Sequence, residues 1–200
     1  MRKRIVFHQA IVLMFLFLFT GNAMATGNGK PEIQQPDSSC ELNEEASFLQ
    51  QYSKILGYTV DTFCNRTLIT TVSDWLGTPY RHAGYSKAGI DCSGFVSKMY
   101  KEIFGINLTH SSSAMIYQMK ELVKKDELKE GDILFFRIHG KRISHVGLYL
   151  GDNKFIHASS FRGIVVDDLR SPYYAKAYYT AGRPAVPDQI EEFLDSVSIK

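Results

Sequence analysis

The sequence predicts an α+β domain in which helices come first and an antiparallel β-sheet follows. Three observations carry this reading. Apolar residues recur at helical spacing as far as about residue 122. Beyond that point the period changes to short β-rich runs separated by Gly, Asp and Asn. The runs then follow one another without intervening helices, as strands of an antiparallel sheet do.

In chain order, Arg2, Lys3 and Arg4 precede an apolar stretch from Ile11 to Phe19 and small residues at Ala23-Met24-Ala25. A basic start, a short apolar core and an A-x-A site form a secretory signal peptide, assigned to 1–25. The alternative is a retained membrane anchor, but the stretch is shorter than the roughly 20 residues a span needs. Residues 26–40 are rich in turn formers and read as a linker. From Leu42 to Leu56 the spacing predicts a helix stopped by Gly57, so that 41–66 forms a helical extension. A second helix is expected from about Thr67 to Leu76, ending at Gly77-Thr78-Pro79. After a loop from Tyr80 to Ile90, Asp91 is the N-cap of a helix running to Gly105. A further helix is expected over Ser113–Leu122. Strands are expected at Ile133–Ile138, Val146–Leu150, Lys154–Ala158, Ile164–Val166 and Tyr173–Thr180, closing a domain over 67–183. Residues 184–200 read as a tail with a short surface helix.

Removal of 1–25 would take three of the 23 Lys and Arg residues and none of the 21 Asp and Glu, leaving a net charge of −1. The apparent basicity therefore belongs to the export signal, and no clustered basic face argues for nucleic acid. The chain contains neither H-E-x-x-H nor paired C-x-x-C, so neither a metal nor another cofactor is expected. Three cysteines in an exported chain suggest one bridge and one working thiol. Cys40 and Cys64 are the candidate pair, whose bridge would contribute roughly 3 kcal/mol.

Cys92 starts a helix in Asp91-Cys92-Ser93-Gly94-Phe95. The unpaired N–H groups and the positive end of the helix dipole favour a thiolate there and can steady an oxyanion. A small buried cysteine is the bland alternative. A nucleophile also needs a base, and His145 and His157 each lie within a β-run, whereas His82, His110 and His139 fall in loops. His157 shares a face with His145 only if the connection between their strands has odd length or carries an equivalent bulge. His157 would then orient His145 and stabilise its cation.

Together with Gly77-Thr78-Pro79-Tyr80-Arg81, Gly131-Asp132-Ile133-Leu134-Phe135-Phe136, Ser144-His145-Val146-Gly147-Leu148 and Ile156-His157-Ala158, this cysteine motif resembles the successive motifs of NlpC-type cell-wall cysteine peptidases. The resemblance runs from about Leu68 to Arg183. It implies a papain-like fold, with the nucleophile on a helix packed against a sheet that carries the histidines. It makes Cys92 the nucleophile, His145 the base and His157 the orienting residue. Tyr80, Asp91, Ser93, Ser111 and Ser112 match substrate-side positions. Tyr80 can equally be a packed aromatic and Asp91 simply an N-cap. Thr109-His110 stands where relatives carry a Pro-Arg pair, which leaves the subsites open. The implied activity is hydrolysis of peptidoglycan stem peptides or muropeptides, at γ-D-glutamyl–diamino acid or D,D bonds. A monomeric, periplasmic or secreted enzyme is expected. A catalytically silent wall-binding module and a thiol acyltransferase are the rival readings. The second usually places histidine before cysteine.

Overall fold

The computed structural model describes residues 38–185, with side chains from Leu42 onward. The expected signal peptide, nearly all of the linker, the side chain of Cys40 and all but the first two residues of the tail lie outside them. Among the described residues no helix is long and apolar enough to cross a membrane.

Helix α1 (Ser38–Leu56) ends at Gly57, whose φ of 74° is left-handed. Helix α2 (Arg66–Ser73) begins at Asn65, whose side chain accepts from Leu68 N–H. It stops three residues before the expected Leu76. There Gly77 N–H donates to Ile164 and Ile164 N–H to Thr78, which draws the chain out of the helix and onto the sheet. A small hairpin, β1 (Tyr85–Ser86) and β2 (Gly89–Ile90), leads into α3 (Cys92–Phe104). Helix α3 has the expected caps, with Asp91 at its start and left-handed Gly105 at its end.

Two expected elements are corrected. The helix expected over Ser113–Leu122 is only α4 (Ser112–Met115) and a single 3-10 turn (Ile116–Gln118). Met119–Val123 is instead an edge strand, β3, with Val123 buried. Pairing with the last of the described strands, Tyr178–Pro184, supplies its backbone partners, and tertiary contact overrides local helix preference there. The strand expected over Tyr173–Thr180 begins as α5 (Pro172–Ala177) and continues as β8 (Tyr178–Pro184). Pro172 has no N–H to lose at a first helical position. Tyr174 and Ala177, three apart, are buried on one side of that helix.

Between them run β4 (Ile133–Phe136), β5 (His145–Gly151), β6 (Lys154–Ser159) and β7 (Gly163–Asp168). The sheet order is β3-β8-β4-β5-β6-β7, and every pair is antiparallel. Alternation divides its side chains. Phe135, Val146, Leu148, Ile156 and Ala158 join the core shared with α2 and α3. Leu134, Phe136, Phe155 and Ala181 form a second core with Tyr174 and Ala177 of α5. Asp132, expected only to form a turn, is buried at the start of β4. It accepts two hydrogen bonds, of 2.8 and 2.9 Å, from the Arg183 guanidinium on β8.

Candidate active site

Asp91 places Cys92. Its Oδ1 accepts from Gly94 N–H at 2.7 Å and from the Ser93 hydroxyl at 3.0 Å, while Oδ2 accepts from Ala83 N–H at 3.0 Å. One carboxylate therefore caps α3 and fastens the preceding loop to it. Gly94 is required by crowding. A Cβ there would stand 2.7 Å from the Gly84 carbonyl oxygen and 2.8 Å from His110 Nε2. His110, read from sequence as a loop residue, lies 2.8 Å from Asp91 Oδ1 and beside the Tyr85 ring.

The two histidines share a sheet face because β5 carries a bulge. Asp152 and Asn153, both at positive φ, make a two-residue turn closed by Gly151 opposite Lys154. The register then shifts by one, so that Tyr149 faces Phe155 and Leu148 faces Ile156. That is the equivalent of the odd-length connection. It sets His157 diagonal to His145, with the His145 Nε2 and His157 Nδ1 atoms 2.9 Å apart. Gly147 lies between them, and a Cβ there would meet the His157 Cβ at 3.1 Å.

Sequence reasoning missed the continuation of this chain of contacts. His157 Nε2 lies 2.9 Å from Asp167 Oδ2 and 3.1 Å from the Tyr174 hydroxyl. On β7, Val165 faces His157, and Asp167 is the next residue along on the same face. Strand alternation was the available signal, but the expected strand ended at Val166. Arg162 pairs with Asp167 from the solvent side. Burial pushes the Asp167 carboxyl up, but the hydrogen bonds from His157 and Arg162 outweigh it and hold the group down at about 2.

An ionised Asp167 fixes the protons along the row. It accepts from His157 Nε2–H, so His157 Nδ1 is an acceptor and receives His145 Nε2–H. His145 Nδ1 is left with its lone pair free, the tautomer a base requires. Burial first, and then the neighbouring His157, hold the His145 imidazole well below its ordinary range. His157 is lowered by burial as well, against the pull of Asp167.

The Cys92 thiol departs from expectation. Burial pushes it up to about 11, although N–H groups of Val146, Ser93 and Cys92 itself bear on the sulfur in the opposite sense. Desolvation outweighs the helix N-terminus here. The Val146 contact sets the sulfur against the start of β5, at the residue after His145. Both groups thus rest neutral, Cys92 as a thiol and His145 as an imidazole. The Cys92 and Ser93 amides are not used within α3, because its first turn is closed by Gly94 and Phe95 donating to Asp91. Both bear on the Cys92 sulfur at rest and stand where an oxyanion formed by its attack would meet them.

The other expected residues are placed as follows. Tyr80 is half-buried, and its hydroxyl is raised first by burial and then by the proximity of Cys92 and Asp91. The Asp91 oxygens and the Ser93 hydroxyl are engaged within the protein. Ser111 precedes α4 without capping it, and Ser112 is the first residue of that helix; both are half-buried. Cys64 carries a free thiol among the described residues. No group of three or more His, Cys, Asp or Glu side chains among those residues gathers to hold a metal ion.

The model of the NlpC/P60 family matches residues 77–183. The chain belongs to the NlpC/P60 family. A probable endopeptidase NlpC homolog of Haemophilus influenzae is 38% identical over 119 residues, covering 60% of this chain and 62% of its own. The murein DD-endopeptidase MepS/murein LD-carboxypeptidase of Escherichia coli is 31% identical over 161 residues, covering 79% of this chain and 83% of its own. A crystal structure of an NlpC/P60 family protein from Bacillus cereus superposes with a TM-score of 0.55 at 35% identity. It covers 60% of this chain and 40% of that one. The NlpC/P60 fold is thus the papain-like α+β arrangement expected from the sequence.

Proposed function

We propose that this NlpC/P60 protein is an exported cysteine endopeptidase that hydrolyses peptidoglycan stem peptides or their cross-links, with Cys92, His145 and His157 as its catalytic row. The observation that carries this is the hydrogen-bonded row Asp167–His157–His145, with the Cys92 sulfur set against the backbone of Val146, the residue after His145. Relatives named as murein endopeptidases support the substrate class. All members of the row come from one chain, so a monomer suffices.

His145 Nδ1 takes the thiol proton as the sulfur attacks the scissile carbonyl. The tetrahedral oxyanion is met by the Cys92 and Ser93 amides. Collapse breaks the C–N bond, and the amine leaves with the proton from His145. Water, deprotonated by the same imidazole, then attacks the thioester and releases the acid, restoring the thiol. His157 and Asp167 carry the positive charge that His145 acquires, and so hold its tautomer through both steps.

The purified protein should release new fragments from peptidoglycan and defined stem peptides, read by mass spectrometry, and Cys92→Ala should release none. Equal cleavage by the two would remove Cys92 from the chemistry. Binding without cleavage by either would make the domain a wall-binding module.

A further inference from the structure

A groove of about 620 Å3 opens between α4 with its 3-10 turn, the edge strand β3 and the β4–β5 connection. Its charge is one-sided. Lys120, Arg137, Lys141 and Arg142 line it, and Glu121 is the acidic residue among them. Glu121 is already held by Arg183 at 2.8 Å. None of the four cations forms an ion pair with a described residue. Arg137 lies flat on the Tyr179 ring, 3.3 Å from its centroid, which fixes the guanidinium while leaving its edge open. In a chain whose charges otherwise nearly balance, four unpaired cations around one concavity are a binding feature.

None of the row lines the groove, but its α4 wall packs against both α3 and β5, the elements that carry Cys92 and His145. Phe136 faces His145 across the β4–β5 pair, and Arg137 is the next residue. Ile143, also in the lining, is two residues before His145. The half of a substrate that departs as an amine must lie beside the imidazole that protonates it. We infer that this groove is the subsite for the leaving half of the substrate, and that its cations receive free carboxylates of the diamino-acid-bearing stem. The inference rests on the endopeptidase reading. At a D,D cross-link the freed amine sits on a carbon that also carries a free carboxylate when the diamino acid is a dicarboxylic one, whereas at the γ-D-glutamyl bond that carboxylate lies at the far end of the side chain.

The test uses the full protein, the quadruple variant Lys120→Gln/Arg137→Gln/Lys141→Gln/Arg142→Gln, and cross-linked stem peptides with free or amidated carboxylates. Exposed ion pairs are individually weak, so KM for the free-acid peptide should rise roughly 3- to 10-fold in the variant. It should then match the KM that the unaltered protein shows for the amidated peptide. Binding of the free-acid peptide to Cys92→Ala should also weaken with salt over the range where the screening length falls below about 10 Å. That salt dependence should vanish when the four substitutions are added. Cleavage that discriminates neither by substitution nor by amidation would overturn the subsite and leave the peptidase standing. Charge-dependent binding without cleavage by the unaltered protein would overturn the peptidase and, with it, the assignment to a leaving half, and leave a cationic groove that binds carboxylates. Tighter binding of a phosphate polymer than of the stem peptide would overturn the assignment to carboxylates.

Discussion

At Cys92 two forces act in opposite directions. The helix N-terminus and the Val146 amide favour the thiolate, whereas removal from water disfavours it, and removal from water is the larger. Alkylation of the free protein by iodoacetamide should therefore keep accelerating with pH well past 8. A plateau below pH 7 would mean a preformed thiolate–imidazolium pair and would sink the neutral-pair account. The identities of Cys92, His145 and His157 were legible because each stands in a local pattern, a helix start or a β-run. Asp167 was not, because its role depends on a strand register no local pattern reveals. Asp167→Asn should cost roughly 10- to 100-fold in kcat/KM, the range seen when hydrogen-bond partners of metal-bound histidines are removed. Because Asp167 raises the pKa of His145, the acid limb of the pH profile should move to lower pH in that variant. A loss of activity with an unmoved profile would reduce Asp167 to packing.

At the scale of elements, α3 shows how one side chain serves both helix and loop. Asp91→Ala removes the acceptor for Gly94 and Ala83 amides at once. Loss of a cap typically costs about 1 kcal/mol, and a second abandoned donor brings the expectation to about 2 kcal/mol by urea denaturation. An unchanged midpoint with a raised KM would return Asp91 to the substrate-binding role left open by the sequence. The caps of α3 were readable because Asp and Gly announce helix ends by their own chemistry. Met119–Val123 and Pro172–Ala177 were misjudged for the opposite reason. The first is a strand because β8 lies alongside it, and the second folds against Phe136 and Phe155, which are remote in sequence.

Across the whole molecule, buried ionisable groups tie stability to pH. His145 and His157 titrate below their ordinary range when folded, so the unfolded chain takes up protons first as pH falls through about 6.5. Stability is then lost with acidification, by up to about 1.4 kcal/mol per pH unit for each imidazole. Urea midpoints at pH 7.5 and 5.5 should differ accordingly, and His145→Gln/His157→Gln should flatten the difference. Arg183→Met strands the buried Asp132 carboxylate and should cost about 3 kcal/mol, the low end for a broken buried pair, since Arg183 keeps 31% of its side chain in solvent. The order β3-β8-β4 has a further consequence. The last of the described strands to be synthesised is an interior one, wedged between two made long before it. Until Tyr178–Pro184 emerges, β3 has no neighbour and β4 shows a bare rim of amides and carbonyls. A nascent chain that already contains Cys92, His145, His157 and Asp167 thus lacks a finished sheet to hold them. The seven residues of β8 act as a keystone that separates making the hydrolase from arming it.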